Sequence, residues 1–438
     1  MKIPTRIASA VINSLKGGVV PRIGLPYITV GRETEIAALL HDVAVVQDGG
    51  ASFRFIMGKY GAGKSFLLQT VRNYVMDKNF VVADADLSPE RRLQGSRGQG
   101  LATYKELIGN LATKTRPDGG ALTLVLDRWI SRILSAVAAE SGLPPEDPAF
   151  GAAVDREIYA VTGELSELVH GFDFARLLSL YYHAYLADDG ETKAKVIKWF
   201  RGEYTTKTEA KNELGVNIII TDDDWYEYIK LFASFFHMAG YAGFMVFIDE
   251  LVNVYKIPNA ITRQNNYEKI LTMYNDTLQG KAKRLGIVMC GTPQCIEDPR
   301  RGVYSYEALR SRLQTGKFGG ELRDMLAPVI RLDPLTNEEM LILTEKLTEV
   351  HGALFSYTPA VSEQDRVDFI RIEFSRIGAE KNITPREVIR DYIELLDILM
   401  QHPGTDVKKL LGSDGFSFAA GEAPGAEDAD AAFAEFEV

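Results

Sequence analysis

The stretch FRFIMGKYGAGKSFLLQTVRNYVMDK, residues 53–78, determines the fold class expected for this chain. Its first six residues are a largely apolar run, typical of a buried strand that enters a glycine-rich turn. Its second half has apolar side chains at helical spacing, which predicts an amphipathic helix. Residues 80–87, FVVADADL, are predicted to form a second strand. Strand, loop, helix and strand in this order predict an α/β fold with a parallel sheet.

Sheet signals return only after a long interruption. Residues 101–242 have mainly helical spacing and predict a large helical insertion in the sheet domain. Apolar runs at 244–248, 285–290 and 329–332 then predict three more strands, followed by helices alone. The predicted segments are 1–30, an N-terminal helix and linker; 31–100, the first part of the core; 101–242, the insertion; 243–335, the second part of the core; 336–412, a helical lid; and 413–438, an acidic disordered tail.

Charge and cysteine content narrow the class of protein. The formal net charge is −11, and residues 413–438 hold seven of the acids with no Lys or Arg. The remainder is only mildly acidic, which argues against coating of nucleic acid by bulk charge. The two cysteines, Cys290 and Cys295, predict no disulfide framework. With no signal peptide and no apolar run approaching the ~20 residues of a membrane span, we expect a cytoplasmic protein without membrane contact.

Two segments leave alternatives open. Basic residues are frequent between 91 and 116, and they predict either a local DNA-facing loop or an ordinary solvated surface. The tail ends in two phenylalanines flanked by acids, which predicts either a docking peptide for a partner or a solubilising extension. Composition does not decide between these hypotheses.

The glycine-rich turn GKYGAGKS, residues 58–65, matches the pattern G-x-x-x-x-G-K-[ST] without a departure. Its glycines let successive backbone N–H groups converge on phosphate oxygens, and the following helix adds the positive end of its dipole. We expect Lys64 to reach the β- and γ-phosphates of ATP and the Ser65 hydroxyl to ligate Mg²⁺. The predicted phosphate-binding residues are Gly58, Lys59, Tyr60, Gly61, Ala62, Gly63, Lys64, Ser65 and Phe66.

An acid pair follows the apolar run at 244–248. We expect this run to be a neighbour of the phosphate-loop strand, with Asp249 at its tip holding Mg²⁺ through water. Glu250 would polarise the attacking water as a general base. The alternative is a buried strand whose acidic end is only solvated. Asp84 and Asp86, at the end of the second strand, compete for the metal function.

Several spaced elements resemble the AAA+ superfamily, in particular its origin-recognition initiator branch. Val30, Gly31 and Arg32 open a segment similar to that branch's N-terminal box, which implies contact with adenine. Thr292, after the run at 285–290, matches the sensor-1 position; the alternative is that it caps a turn before Pro293.

Two arginines complete this resemblance. Ser311-Arg312-Leu313 resembles the box that carries an arginine finger, which implies that Arg312 reaches a neighbouring subunit's γ-phosphate. Arg310 is the alternative finger, and a further alternative is that both are ordinary helix-surface arginines. Arg386 in Thr384-Pro385-Arg386 resembles sensor 2, which implies contact with the phosphates from the lid, whereas the alternative is that it pairs with nearby acids. A finger supplied in trans implies a homo-oligomer.

Longer stretches resemble the BREX-system ATP-binding protein BrxD family. They are residues 17–40, GGVVPRIGLPYITVGRETEIAALL; residues 83–95, ADADLSPERRLQG; residues 101–122, LATYKELIGNLATKTRPDGGAL; residues 200–204, FRGEY; and residues 213–256, ending FMVFIDELVNVYK. The resemblance implies ATP binding, bacterial defence against phage, and a co-encoded DNA helicase or double-stranded DNA as partner. The hypotheses are an oligomeric AAA+ ATPase, a slowly hydrolysing nucleotide-gated switch or scaffold, and a small-molecule kinase.

Overall fold

A computed structural model of the chain describes residues 3–144, 147–165, 168–314, 323–375 and 384–412. The predicted acidic tail and its docking hypothesis lie outside the described residues. The chain divides into two compact units, and it passes between them more than once. The first unit contains residues 1–34, 58–70 and 332–438, and the second contains residues 35–57 and 71–331.

The second unit is built on a parallel five-stranded sheet with strand order β2-β3-β4-β1-β5. The strands are β1 (Ala51–Met57), β2 (Val81–Asp86), β3 (Phe244–Asp249), β4 (Leu285–Gly291) and β5 (Val329–Arg331). Each lies within two residues of a predicted apolar run, so the predicted α/β class with a parallel sheet is confirmed. Parallel strands buried on both faces are largely apolar throughout, which is why their runs were visible in the sequence.

The prediction that β3 lies next to β1, the strand that precedes the phosphate loop, is wrong. Leu285 of β4 is in register with Ala51 of β1 on one side and with Phe244 of β3 on the other. β4 therefore separates β1 from the strand that ends in Asp249. An apolar run specifies a strand but not its place in the sheet, because parallel strands are joined by long crossovers.

Helices surround the sheet and fill the segment between β2 and β3. A single core joins the sheet to these helices, with Trp129, Phe174, Trp199 and Phe236 among its most completely buried side chains. The helices between residues 33 and 313 are α2 (Glu33–Gln47), α3 (Lys64–Asp77), α4 (Gln99–Gly109), α5 (Leu122–Ser141), α6 (Pro148–Leu165), α7 (Gly171–Leu186), α8 (Gly190–Phe200), α9 (Lys207–Leu214), α10 (Trp225–Met238), α11 (Val252–Tyr255), α12 (Ala260–Leu278), α13 (Pro293–Glu297) and α14 (Glu307–Leu313).

The first unit is helical and has a core of its own. Apolar residues of its helices pack with Leu25, Ile28 and Val30 from the segment that follows the first helix. Its helices are α1 (Thr5–Lys16), α15 (Asn337–Phe355), α16 (Glu363–Ser375), α17 (Pro385–Gln401) and α18 (Val407–Leu411). Across the described ranges, no helix combines the length and apolarity that crossing a membrane requires.

Candidate functional site

The phosphate loop, residues 58–65, follows directly on the last residue of β1. Gly61 and Gly63 have φ angles of 74° and 88°, in the left-handed region that favours glycine. A Cβ at Gly61 would also lie 2.5 Å from the Cβ of Thr384, so this position has no room for a side chain. The glycines of the motif are therefore required by backbone shape and, at Gly61, by packing.

Lys64 reaches back over the loop. Its Nζ donates hydrogen bonds of 2.9 Å to the carbonyl oxygen of Gly58 and of 2.9 Å to that of Lys59. Lys64 is also the first residue of α3, so the first N–H groups of this helix open onto the same loop. An ammonium group and helix N-terminal amides beside a left-handed glycine turn fit a phosphate group.

Arg32 holds the loop in place. Its side chain is 6% exposed, and its Nη2 donates to the carbonyl oxygens of Ala62 at 3.0 Å and Asp333 at 2.8 Å. Gly31 has a φ of 65°, and a Cβ there would overlap the Glu339 carboxylate. The predicted adenine-binding segment is thus bound tightly to the phosphate loop, while its contact with adenine stays a prediction.

Arg386 also lies beside the phosphate loop. Its Nη1 is 3.4 Å from the hydroxyl of Tyr60, the third residue of the loop. Gly18 packs against the same guanidinium, and a Cβ at Gly18 would lie 2.6 Å from its Nη2. Thr384 is the N-cap residue of α17, and the Glu387 carboxylate accepts 2.8 Å and 3.1 Å hydrogen bonds from its N–H and hydroxyl groups. The structure brings Arg386 together with the loop, although they are separated by more than three hundred residues in sequence.

The acid pair lies at the carboxyl end of β3 in the second unit. Asp249 Oδ1 accepts a 2.7 Å hydrogen bond from the N–H of Glu250, whose φ is 60°. Asn253 Nδ2 donates to the carbonyl oxygens of Leu87 at 2.8 Å and Glu250 at 3.3 Å. Glu250 is therefore exposed on a sharp turn whose direction Asn253 fixes. Sequence reasoning missed Asn253; the signal was an amide three residues beyond the acid pair.

A second acid lies beside Asp249. Asp86 ends β2 in register with Asp249. Desolvation, followed by the negative charges of Asp249 and Asp84, raises the pKa of Asp86 above its ordinary value. Asp84 instead forms an ion pair with Arg72, with Oδ1 2.9 Å from Nε. Of the two competing acids, Asp86 is the one that shares the sheet edge with Asp249 in register.

Thr292 follows β4, the strand between β1 and β3. Its hydroxyl accepts a 3.3 Å hydrogen bond from the N–H of Cys295, so it caps α13. This capping was the alternative to the sensor assignment, and it leaves the threonine at the same sheet edge as Asp249.

The two finger candidates are both on α14 and make contacts within that helix. Arg312 Nη1 donates a 2.7 Å hydrogen bond to the carbonyl oxygen of Ala308, and Arg310 pairs with Glu307. These contacts do not distinguish one candidate from the other.

Two cations of the predicted basic loop form ion pairs with neighbouring acids. Arg91 pairs with Glu106 at 3.2 Å, and Lys114 pairs with Asp77 at 3.0 Å. These pairs agree with the solvated-surface alternative at those two positions. Within the described ranges, no group of three or more His, Cys, Asp or Glu side chains has the arrangement of a metal site, and Mg²⁺ binding stays a prediction.

Comparison with known proteins identifies the family. The family described as BREX system ATP-binding protein BrxC/D matches residues 3–415, nearly the whole chain. No curated protein matches the chain significantly. The match includes the phosphate loop, the acid pair and the segment around Arg386. The chain therefore belongs to the BREX system ATP-binding protein BrxC/D family.

Proposed function

We propose that this chain is an AAA+-type ATPase of a bacterial phage-defence system, which acts as an oligomer and drives or gates a DNA-processing partner. The observation that carries the proposal is the shape of the phosphate loop. Two glycines in left-handed backbone and an ammonium bonded to two loop carbonyls form the framework that surrounds phosphate oxygens. Membership in a family described as ATP-binding supports the same ligand.

We assign ATP binding, and neutralisation of the negative charge of its phosphates, to the phosphate loop. Backbone N–H groups of residues 61–65 would donate to phosphate oxygens, and the Lys64 ammonium would exchange its carbonyl partners for the β- and γ-phosphates. Ser65 and Asp249 would hold Mg²⁺, which supplies positive charge to the phosphate oxygens when it is bound. Arg32, through its bond to the Ala62 carbonyl, would keep the loop amides in the binding conformation.

Hydrolysis is assigned to Glu250. Its carboxylate would accept a proton from the attacking water, whose oxygen forms a bond to the γ-phosphorus while the bond to the β–γ bridging oxygen breaks. The left-handed backbone at residue 250 and the hydrogen bond from Asn253 to its carbonyl oxygen support a fixed direction for this side chain. Asp86 stays a competing metal-binding acid, because it is in register with Asp249.

Arginines would complete the charge stabilisation. Arg386 would act from the same subunit, which its position beside Tyr60 supports. Arg312, or Arg310 as the alternative, would act on a neighbouring subunit's nucleotide, which the partial exposure of α14 supports. Thr292, after the strand between β1 and β3, would orient the water.

The test is phosphate release from ATP and Mg²⁺ without an added acceptor. Turnover under these conditions separates an ATPase from a small-molecule kinase. Stimulation by duplex DNA or by the co-encoded helicase separates a motor from a slow switch or scaffold. Particle size measured by light scattering with and without ATP tests the oligomer. A chain that binds no ATP by calorimetry would contradict the whole proposal.

A further inference from the structure

A cationic cleft lies at the amino edge of the sheet in the second unit, opposite the edge that carries Asp249 and Thr292. It has a volume of about 550 Å³, and the turns that precede β2, β3 and β4 contribute to its lining. We define the cationic cleft by Lys78, Asn79, Arg132, His237, Tyr241 and Arg284. No Asp or Glu is among the described residues that line it.

The positive charges of the cationic cleft come from three separate elements. Lys78 follows α3, Arg132 projects from α5, and Arg284 immediately precedes β4. Arg284 Nη1 donates a 2.8 Å hydrogen bond to the carbonyl oxygen of Gln47, which holds its guanidinium at the edge of the cleft. Arg128, one helical turn before Arg132, has its guanidinium carbon 4.7 Å from the centroid of the Tyr241 ring. A fourth cation therefore lies against one wall.

Two acids close to the cationic cleft in sequence form ion pairs with lysines outside it. Asp77, which precedes Lys78, pairs with Lys114 at 3.0 Å. Asp276 lies before the turn that leads to Arg284, and it pairs with Lys230 at 2.8 Å. Asp48 is exposed and does not line the cleft. The cations of the cleft consequently keep their positive potential for a ligand from outside the chain.

Tyr241, a lining residue of the cationic cleft, also belongs to the hydrophobic core of the second unit. Tyr241 is 3% exposed, and its hydroxyl has no hydrogen-bond partner among the described residues. Two hydrogen bonds fix the backbone on either side of Tyr241 to Asn79. Asn79 Nδ2 donates a 2.9 Å hydrogen bond to the carbonyl oxygen of Gly240, and the N–H of Ala242 donates to the carbonyl oxygen of Asn79 at 3.0 Å.

We propose that the cationic cleft is a binding site for a phosphate group, distinct from the phosphate loop. The cleft presents two guanidinium groups and an ammonium group. Both kinds of group bind phosphate oxygens, and guanidinium can do so in bidentate fashion. The phosphate can come from the backbone of duplex DNA or from free inorganic phosphate. Because the cleft and the proposed hydrolytic residues occupy opposite edges of the sheet, the residues of the cleft take no part in the proposed ATP site.

The experiment compares two pairs of substitutions in the full-length chain. The test pair is Lys78→Ala with Arg132→Ala, and the control pair is Lys211→Ala with Arg156→Ala, two exposed cations outside the cleft. Both pairs remove two positive charges, so bulk electrostatics change equally. Affinity for a labelled duplex is measured by fluorescence anisotropy between 50 and 200 mM salt, and inorganic phosphate is titrated by calorimetry.

For a DNA backbone ligand, we expect the test pair to reduce the salt slope by about 2, since each lost phosphate contact contributes about 0.9. When salt rises fourfold, from 50 to 200 mM, the affinity of the test pair for DNA therefore falls by a factor about ten times smaller than the factor for the wild-type chain. If the ligand is free phosphate, we expect the test pair to abolish the heat of phosphate binding in calorimetry. The DNA affinity of the test pair should then equal that of the control pair. The proposal is overturned if the two pairs behave alike in both measurements. ATP turnover without DNA stays at the wild-type rate in both pairs, which separates this test from that of the proposed ATPase.

Discussion

The hydroxyl of Tyr60 lies 3.4 Å from Nη1 of Arg386, which joins the third residue of the phosphate loop to the first turn of α17. Gly18 also packs against this guanidinium, where a Cβ would lie 2.6 Å from Arg386 Nη2. Three distant parts of the sequence therefore determine where this guanidinium is held. Its position beside the loop is the strongest support for a role in phosphate chemistry.

Replacing Arg386 tests that role. We expect Arg386→Ala to lower ATP turnover by about 10²-fold, the typical loss when one preorganised charge-stabilising donor is removed. Tyr60→Phe removes only the hydroxyl contact and should change turnover by less than about threefold, because the arginine stays packed against Gly18. Steady-state phosphate release measures both. Equal losses in the two variants would mean that the contact itself, and not the guanidinium, is required.

Replacing Lys64 tests binding. Lys64→Ala removes an ammonium group that would donate charge-assisted hydrogen bonds, each contributing about 1.5–3 kcal/mol, so ATP should bind roughly 10- to 100-fold more weakly. Lys207→Ala on α9 removes the same charge from an exposed position and should leave ATP affinity unchanged. Isothermal calorimetry gives both affinities. Wild-type affinity in Lys64→Ala would remove the loop from the proposed site.

Replacing Glu250 separates hydrolysis from binding. Glu250→Gln should retain ATP affinity but lower turnover by about 10²–10⁴-fold, since an amide cannot accept the proton of water. Glu250→Gly should be equally inactive, yet more stable by about 1 kcal/mol, because glycine adopts the left-handed backbone without strain. Turnover and thermal unfolding are measured on both. Undiminished turnover in the glutamine variant would exclude Glu250 as the base.

Replacing Arg32 tests the bracing of the loop. Arg32→Ala leaves the buried carbonyl group of Ala62 and the half-buried carbonyl group of Asp333 without this donor, and we expect a loss of about 2–4 kcal/mol in the free energy of unfolding. Arg6→Ala, at an exposed position of α1, should change it by less than about 0.5 kcal/mol. Urea denaturation measures both. A stable Arg32 variant with weakened ATP affinity would indicate direct nucleotide contact instead.

Acid should destabilise the first unit through His351. Its Nε2 is 3.1 Å from Asp397 Oδ1 and its Nδ1 is 2.9 Å from the Tyr357 hydroxyl. Burial lowers the pKa of His351 below its ordinary 6.5, outweighing the opposing effect of Asp397. The unfolded chain therefore binds the proton more readily, so stability falls as pH drops below about 6.5 and continues to fall to the lower folded-state pKa.

Thermal unfolding between pH 7.5 and 5 measures this effect. His351→Gln removes the titrating group, and its unfolding temperature should decrease less over that range than that of the wild-type chain. The exposed control His41→Gln should retain the wild-type pH dependence. Parallel pH profiles for the wild-type and His351→Gln chains would contradict the assignment.

Local patterns predicted the fold well because each strand and the phosphate loop is specified by neighbouring residues. The place of β4 between β1 and β3, by contrast, depends on crossovers that no local pattern encodes. The same limit applies to the candidate site. Motif spacing indicated Lys64 and Glu250, but the pairing of Asp86 with Asp249 and the bracing by Arg32 arise from contacts between distant segments. The cationic cleft was missed because its cations come from three elements far apart in sequence.

The helical segment between β2 and β3 has a consequence for synthesis. Asp86 leaves the ribosome well over a hundred residues before its register partner Asp249 is translated. At about 5–20 residues per second, β2 remains without its sheet neighbour β3 for roughly 10–30 s. β1 also waits for both its neighbours, β4 and β5. The nascent chain thus exposes two apolar strands until their neighbours are translated, and we expect holdase chaperones to lower its aggregation when a cell produces it at high level.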